Sequence, residues 1–218
     1  MSKAAAMEGI SLPMGCASVD APPRGCLFCK TGKEEDVARR FESSFSGSRA
    51  IAPTRIRYRR RSDAAIEERV PLLPGYVFFE LGGMGEGTGI ARAGENRDRE
   101  ARVDLALREF SRMDGVIKLL RYSDGDWRLH DSDDQFAKLL FDTGGNIGVS
   151  RACFDAGNRI RILEGFLKDY EGSIVRVNRK TRTVEVRVDF QGKKISLWLG
   201  YELVMGIDPD DRQRARPE

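Results

Sequence analysis

The chain lacks the apolar stretches that take a protein into or across a membrane. None of its hydrophobic runs approaches the ~18 residues that a membrane-spanning helix needs. Glycines and prolines interrupt every short apolar stretch in the first two dozen residues, so a signal-peptide core is missing there. We therefore expect a cytoplasmic protein without membrane contact, whose 218 residues suffice for one large domain or two small ones.

Histidine and cysteine are too few for the usual catalytic and metal-binding arrangements. The single histidine, His130, argues against a Ser-His-Asp or Cys-His device. Cys26 and Cys29 form a C-x-x-C pattern inside a predicted strand, where residues three apart point to opposite faces. A zinc site would also need about four clustered nitrogen or sulfur ligands. With Cys16 and Cys153, these cysteines are interpreted as small hydrophobic residues in a reducing compartment. The sequence predicts no metal, no cofactor and no enzymatic activity.

Charge is abundant, and its positive part is concentrated in one segment. The formal net charge is only +3. Between Arg49 and Arg61 there are six arginines and no acid, with Tyr58 among them. An aromatic ring between basic side chains suits a base or sugar of a nucleic acid. The alternative that composition leaves open is a solvated basic arm of a hairpin.

Residues 25–141 show the strand and helix signals of a mixed α+β domain that follows a loose tail, residues 1–24. The predicted strands are 25–31, 51–61, 76–81 and 115–122, and the predicted helices begin near residues 34, 98 and 132. Thr31 with Glu34, and Ser132 with Gln135, have the spacing of capping boxes at two of these helices. A glycine-rich run, residues 82–97, is interpreted as a loop. This order predicts an antiparallel sheet flanked by helices.

From residue 157 onward the pattern changes to short strands alone, after a predicted linker at residues 142–156. Val184, Val186, Val188 and Phe190 alternate with charged residues, which is the period of a half-buried strand. Five short strands in residues 157–206 match the size of a small SH3-like all-β barrel. Residues 207–218 are a charged tail. The strict alternation favours a unit that stays all-β.

Two separate parts of the chain resemble the NusG family of transcription elongation and antitermination factors. In the first half, the similar stretches are residues 29–37 (CKTGKEEDV), 71–79 (PLLPGYVFF) and 115–120 (GVIKLL). In the second half, residues 157–165 (GNRIRILEG) and 170–175 (YEGSIV) resemble a KOW motif, with Gly157, Gly165 and Gly172 as its glycines. The matches stand in the family's order and cover about residues 25–205. Residues 163–172 and 177–183 are most similar to the specialised LoaP-type antiterminator paralogs.

The resemblance implies a partner, bacterial RNA polymerase, and a docking surface on the N-terminal domain. In the family, an apolar concavity of this domain binds the clamp helices of the largest polymerase subunit. The matching positions here are Phe28, Tyr76 and Phe78, and the last two share one face of a strand because they lie two residues apart. The alternative for all three is an ordinary core position. Phe79, on the other face, is predicted to be core.

The resemblance also implies contact with nascent RNA, including an RNA hairpin, or with non-template DNA. The matching cations are Lys30 and Lys33, to which we add the basic residues around the first helix and on the second strand: Arg39, Arg40, Arg55, Arg57, Arg59, Arg60 and Arg61. For Arg39 and Arg40, a solvated helix face is the alternative. Each phosphate that is neutralised on a single strand adds about 0.7 to the negative log–log salt slope of binding.

The KOW domain of the family is associated with the termination factor Rho or with a ribosomal protein. Here the aromatic Phe190 stands one residue earlier than the family's hairpin usually has it, and such a displacement changes its face. This departure argues against those contacts. The resemblance implies a monomeric, operon-specific antiterminator. The alternatives are a general elongation factor of the NusG type and a stand-alone KOW protein that binds RNA or the ribosome.

Overall fold

The computed structural model describes residues 22–61, 64–82 and 93–204. Three predicted segments therefore lie largely outside the described residues. They are the N-terminal tail, the glycine-rich run and the charged C-terminal tail. Within the described part of the chain, no helix is long and apolar enough to cross a membrane.

The first half is a mixed α+β arrangement. Its elements are β1 (Arg24–Cys29), α1 (Glu34–Ser44), β2 (Arg49–Ile51), β3 (Thr54–Arg61), β4 (Ala64–Pro71), β5 (Tyr76–Glu80), α2 (Ala93–Phe110), β6 (Val116–Leu119) and α3 (Asp131–Asp142). Two strands, β2 and β4, are additions to the predicted order, and α2 begins inside the predicted glycine-rich loop. β4 pairs along its whole length with β3 as an antiparallel hairpin.

Up to residue 204, where the described part of the chain ends, the second half consists of strands and one 3-10 helix. Its elements are β7 (Asn146–Ile147), β8 (Ser150–Phe154), β9 (Ile160–Glu164), the 3-10 helix (Phe166–Ser173), β10 (Ile174–Asn178), β11 (Thr183–Phe190) and β12 (Lys193–Leu203). Two of these strands, β7 and β8, occupy the segment that was predicted as a linker. β7 pairs with β3 and β8 pairs in parallel with the end of β12.

The central sheet has the strand order β2-β5-β1-β6 and buries both of its faces. On one face, Leu27, Val77 and Phe79 pack in a cluster that includes residues of α1 and α2. On the opposite face, Cys26 and Phe78 belong to a second cluster. Cys26 and Cys29 are free buried thiols in different clusters, which confirms that they point to opposite faces of β1.

The second sheet has the order β10-β11-β12-β8-β9 and shares its core with the first half. Val184, Val186, Val188 and Phe190 are buried as their alternation predicted. They lie in the same cluster as Phe78 of β5 and Phe136 of α3. The second sheet therefore covers the face of the central sheet that α1 and α2 leave free.

Glu34 and the helix caps differ from the predicted capping boxes. The residues at the cap positions are Lys33 and His130, and neither makes a side-chain cap hydrogen bond. The buried carboxylate of Glu34 instead accepts the N–H groups of Gly32 at 2.6 Å and Gly75 at 2.7 Å. Glu34 thus joins the start of α1 to the turn before β5, a long-range contact that local spacing does not encode.

Candidate functional site: an aromatic face under the second sheet

The predicted docking residues form a row across the central sheet. Phe28 of β1 is the register partner of Tyr76 on β5, so the two side chains stand on one face. Their rings meet edge to face at a centroid distance of 5.1 Å. Phe78, two residues along β5, lies on the same face. The sequence prediction that Tyr76 and Phe78 share a face is consistent with this geometry.

The three rings differ in how far they are covered. Phe28 and Tyr76 are half-buried, whereas Phe78 is fully buried at 0% exposure. Burial also raises the pKa of the Tyr76 hydroxyl. Phe78 therefore occupies the core position that was its alternative, and only Phe28 and Tyr76 present ring surface to solvent in this arrangement.

The ring that covers this face is Phe190, at the end of β11. Its centroid lies 5.4 Å from that of Phe78, 6.2 Å from that of Tyr76 and 5.8 Å from that of Phe136 on α3. The side chain is 1% exposed. Aromatic pairs at these separations stabilise packing by about 0.5–1.5 kcal/mol each beyond the area they bury. Phe190, which the sequence analysis placed one residue earlier than the family's aromatic, is thus the central contact between the two sheets.

A buried carboxylate, that of Asp133, stabilises the same contact between the two sheets through hydrogen bonds. Asp133, in the first turn of α3, accepts the backbone N–H of Gln191 at 3.2 and 3.1 Å, one distance to each oxygen. It also accepts the hydroxyl of Tyr122 at 2.6 Å. Burial, and then this hydrogen bond, raise the pKa of Tyr122. The neighbouring Asp134 bonds Arg24 instead.

The cations predicted around α1 come together at one surface depression, but they share it with acids. Asp114 accepts a hydrogen bond from Lys30 at 3.1 Å, and this bond is the main reason why its pKa is lowered. Asp36 lies 2.9 Å from Arg39 and 3.8 Å from Lys33. These pairs are exposed, so each contributes only a little to stability. The surface keeps an excess of positive charge, because four cations, counting Arg40, meet two acids.

The predicted arm on β3 is less basic than its own sequence indicates. Arg57 pairs with Glu68 of β4 at 2.7 Å. Burial, and then the charge of Arg57, lower the pKa of the half-buried Arg55. The backbones of Arg59, Arg60 and Arg61 continue β3, and their side chains lie outside the described residues. Pairing with β4, which was not predicted as a strand, brings Glu68 opposite Arg57 and Glu67 opposite Tyr58.

The three glycines of the predicted KOW motif, Gly157, Gly165 and Gly172, have different surroundings. Gly165 has φ 97° and lies against the backbone of Ser150, a position that a side chain would disturb. A Cβ on Gly157 would make only ordinary contacts, and one on Gly172 would meet nothing within 4 Å. Of the three, only Gly165 has both a positive φ and a close neighbour.

Comparisons with known proteins give a likeness in fold to solved structures. No protein-family model matches the chain, and no curated protein matches it. The fold is similar to a solved structure of NusG from Thermotoga maritima, described as a study of its domain interaction. The two share 18% sequence identity with a TM-score of 0.44, and the match covers 84% of this chain and 96% of that one.

Proposed function

We propose that the protein is a transcription elongation factor that binds RNA polymerase, and in particular an operon-specific processive antiterminator without enzymatic activity. The observation that supports the proposal is the aromatic row of Phe28, Tyr76 and Phe78. It lies on the sheet face that α1 and α2 leave free, and it stands at the positions that resemble the docking surface of the NusG family. Desolvated aromatic residues of this kind contribute about 2 kcal/mol or more to an interface.

The proposed docking requires that the second sheet move away from this face. Phe78 has no exposed surface while Phe190 covers it. A clamp helix on Phe78 and the ring of Phe190 would occupy the same space. In this proposal the second half is the SH3-like KOW domain. The contacts of Phe190 and Asp133 hold this domain on the aromatic face, so they compete with polymerase for that face.

Nucleic acid is the second partner in the proposal. Nascent RNA or non-template DNA would contact the exposed cations around α1 and on β3. Lys30, Lys33, Arg39 and Arg40 line or border one surface depression, and single-stranded backbones are bound by such grooves. The acids Asp36 and Asp114 would have to exchange their partners for phosphates.

The test is binding to purified core RNA polymerase by wild type and by three folded variants. The double variant Phe28→Ala/Tyr76→Ala removes the exposed rings. The matched control Leu105→Ala/Ile117→Ala removes two exposed apolar side chains elsewhere, at 58% and 53% exposure. Asp133→Ala weakens the cover without touching the rings.

We expect the wild type to bind, the control to bind equally and the ring variant to lose at least ~30-fold in affinity, which corresponds to about 2 kcal/mol. The Asp133→Ala protein should bind more tightly than wild type. Absence of binding by both the folded wild type and Asp133→Ala would refute the proposal. It would leave a stand-alone module that binds RNA or the ribosome as the better account.

A further inference from the structure

A cleft of about 730 Å³ opens where the two sheets meet. It lies between β6, an edge strand of the central sheet, and the turn that joins β11 to β12. Its size is in the range of about 300–1,000 Å³ that is typical of ligand sites. Neither half of the chain forms this cleft alone, because its walls come from both sheets.

The floor of the cleft is aromatic. Phe28 and Tyr76 line it and are both half-buried, so part of each ring faces the cleft. Phe190 also lines the cleft and packs against Tyr76. Partly exposed rings at the bottom of a cleft are platforms on which a nucleic acid base stacks, at about 1–3 kcal/mol per base.

The rim of the cleft is cationic on both sides. Lys118 and Arg121 stand on the side of the central sheet, and Lys193 and Lys194 on the side of the second sheet. None of the twelve lining residues is acidic. Arg121 is paired with Asp104 at 2.6 Å. The three lysines make no ion pair among the described residues, and only Lys194 has an acid, Asp189, as its register partner.

The strand register places charge next to the rings. Lys118 is the direct partner of Phe28, and Phe28 is the partner of Tyr76. Across the cleft, Lys193 is the register partner of Phe190. The order across the floor is therefore a lysine, a row of rings and a lysine. A ring platform between two cations matches a nucleotide, whose base stacks while the phosphates on either side bind the lysines.

Gln191 adds a hydrogen-bond donor that has no use within the described fold. It lines the cleft, and its Nε2 atom is buried without a hydrogen-bond partner among the described residues. A buried donor left without a partner costs about 1–3 kcal/mol. A phosphate oxygen or a base carbonyl in the cleft would accept this hydrogen bond once the Gln191 side chain turns toward the cleft.

We infer that this cleft is a binding site for single-stranded nucleic acid, formed jointly by Phe28, Tyr76, Lys118, Lys193 and Lys194. It is separate from the cations around α1 and on β3, and it exists only while the two sheets are in contact. An acidic protein segment is the competing occupant. The ring platform with unpaired cations on both sides favours the nucleotide, since a carboxylate would use the rim and leave the rings unused.

The test is fluorescence anisotropy with labelled oligouridine and oligothymidine of about eight nucleotides, measured over a series of salt concentrations. The variant Lys118→Ala/Lys193→Ala/Lys194→Ala removes the rim. Two controls each remove two exposed lysines elsewhere: Lys168→Ala/Lys180→Ala, and Lys30→Ala/Lys33→Ala at the α1 surface. The two oligonucleotides distinguish RNA from DNA.

We expect the rim variant to lose at least about tenfold in affinity and to lower the log–log salt slope by about 0.7 per lysine. The Lys168→Ala/Lys180→Ala control should bind as wild type does. Photocrosslinking of 4-thiouridine RNA should modify the peptides that contain Phe28 or Tyr76, and Lys30→Ala/Lys33→Ala should leave these crosslinks in place. Unchanged binding by the rim variant, or crosslinks confined to α1, would overturn the inference. So would an oligoglutamate peptide that binds the cleft more tightly than the oligonucleotides do.

The outcome of the oligonucleotide experiment is independent of the outcome of the polymerase experiment. A protein that fails to bind polymerase still has the cleft, and a protein that binds polymerase can lack affinity for oligonucleotides. The two sites do share Phe28 and Tyr76, so polymerase docking and occupation of the cleft exclude each other at these rings.

Discussion

Substitution of Gly165 by alanine should destabilise the second sheet strongly. Gly165 has φ 97° and ψ −178° just before the 3-10 helix, a backbone region that only glycine adopts readily. A Cβ there would lie 2.7 Å from Oγ and 2.9 Å from Cα of Ser150. Ser150 is 1% exposed, and its Oγ accepts the N–H of Leu167 at 3.1 Å. The added methyl group must therefore displace a buried backbone.

Two effects set the magnitude for Gly165→Ala. The backbone region costs a residue with a Cβ about 1–3 kcal/mol. Moving Ser150 leaves the buried N–H of Leu167 without its acceptor, at about 1–3 kcal/mol. Together they predict a loss of about 2–6 kcal/mol in the free energy of unfolding.

The assay is urea unfolding followed by circular dichroism, with Gly172→Ala as the matched control. Gly172 belongs to the same predicted motif and lies in the last turn of the same 3-10 helix. A Cβ there meets nothing within 4 Å, and its φ is not in the left-handed region. We expect the control to stay within about 0.5 kcal/mol of wild type. Equal losses for the two variants would refute the reasoning from backbone conformation and close contact.

Three further predictions concern buried groups. Phe190→Ala should lower the free energy of unfolding by about 3–5 kcal/mol in the same assay, because it empties the contact between the sheets; a loss below about 1 kcal/mol would show that the sheets are apart in solution. Glu34→Gln should cost about 1–3 kcal/mol, because a Gln amide keeps only one of the two acceptor oxygens, while Glu35→Gln on the exposed side of α1 should be neutral. Burial raises the pKa of the Cys29 thiol from 9.0 to about 11. At pH 8 its thiolate fraction, and with it alkylation by iodoacetamide, should therefore be roughly a hundredfold lower than for a free peptide thiol; peptide mapping at the free-thiol rate would contradict this.

Period and register made the two sheet-forming patterns predictable. The alternation in β11 and the common face of Tyr76 and Phe78 follow from the two-residue repeat of a strand, which needs no knowledge of the partner. The alternation predicts which side chains are buried, but it does not identify the residues on which they pack. The contact of Phe190 with Phe78 therefore needed the structure.

Long-range pairing explains what the sequence analysis missed. β8 was predicted as part of a linker because Ser150–Phe154 is short and glycines precede it, yet it pairs with residues 201–203 of β12. The predicted capping boxes depended on local spacing, whereas Glu34 bonds to the turn at Gly75. The acids that neutralise the α1 cations come partly from Asp114, about eighty residues away in sequence.

Because the chain is synthesised from its N-terminus, the two sides of the contact between the sheets are made at different times. Phe78 and Phe136 leave the ribosome before Phe190 does, and 54 residues separate positions 136 and 190. At roughly 5–20 residues per second, about 3–11 s pass between the synthesis of Phe136 and that of Phe190. During this time the aromatic face has no Phe190 to cover it. Another protein can reach that face during this interval, before the finished chain closes over it.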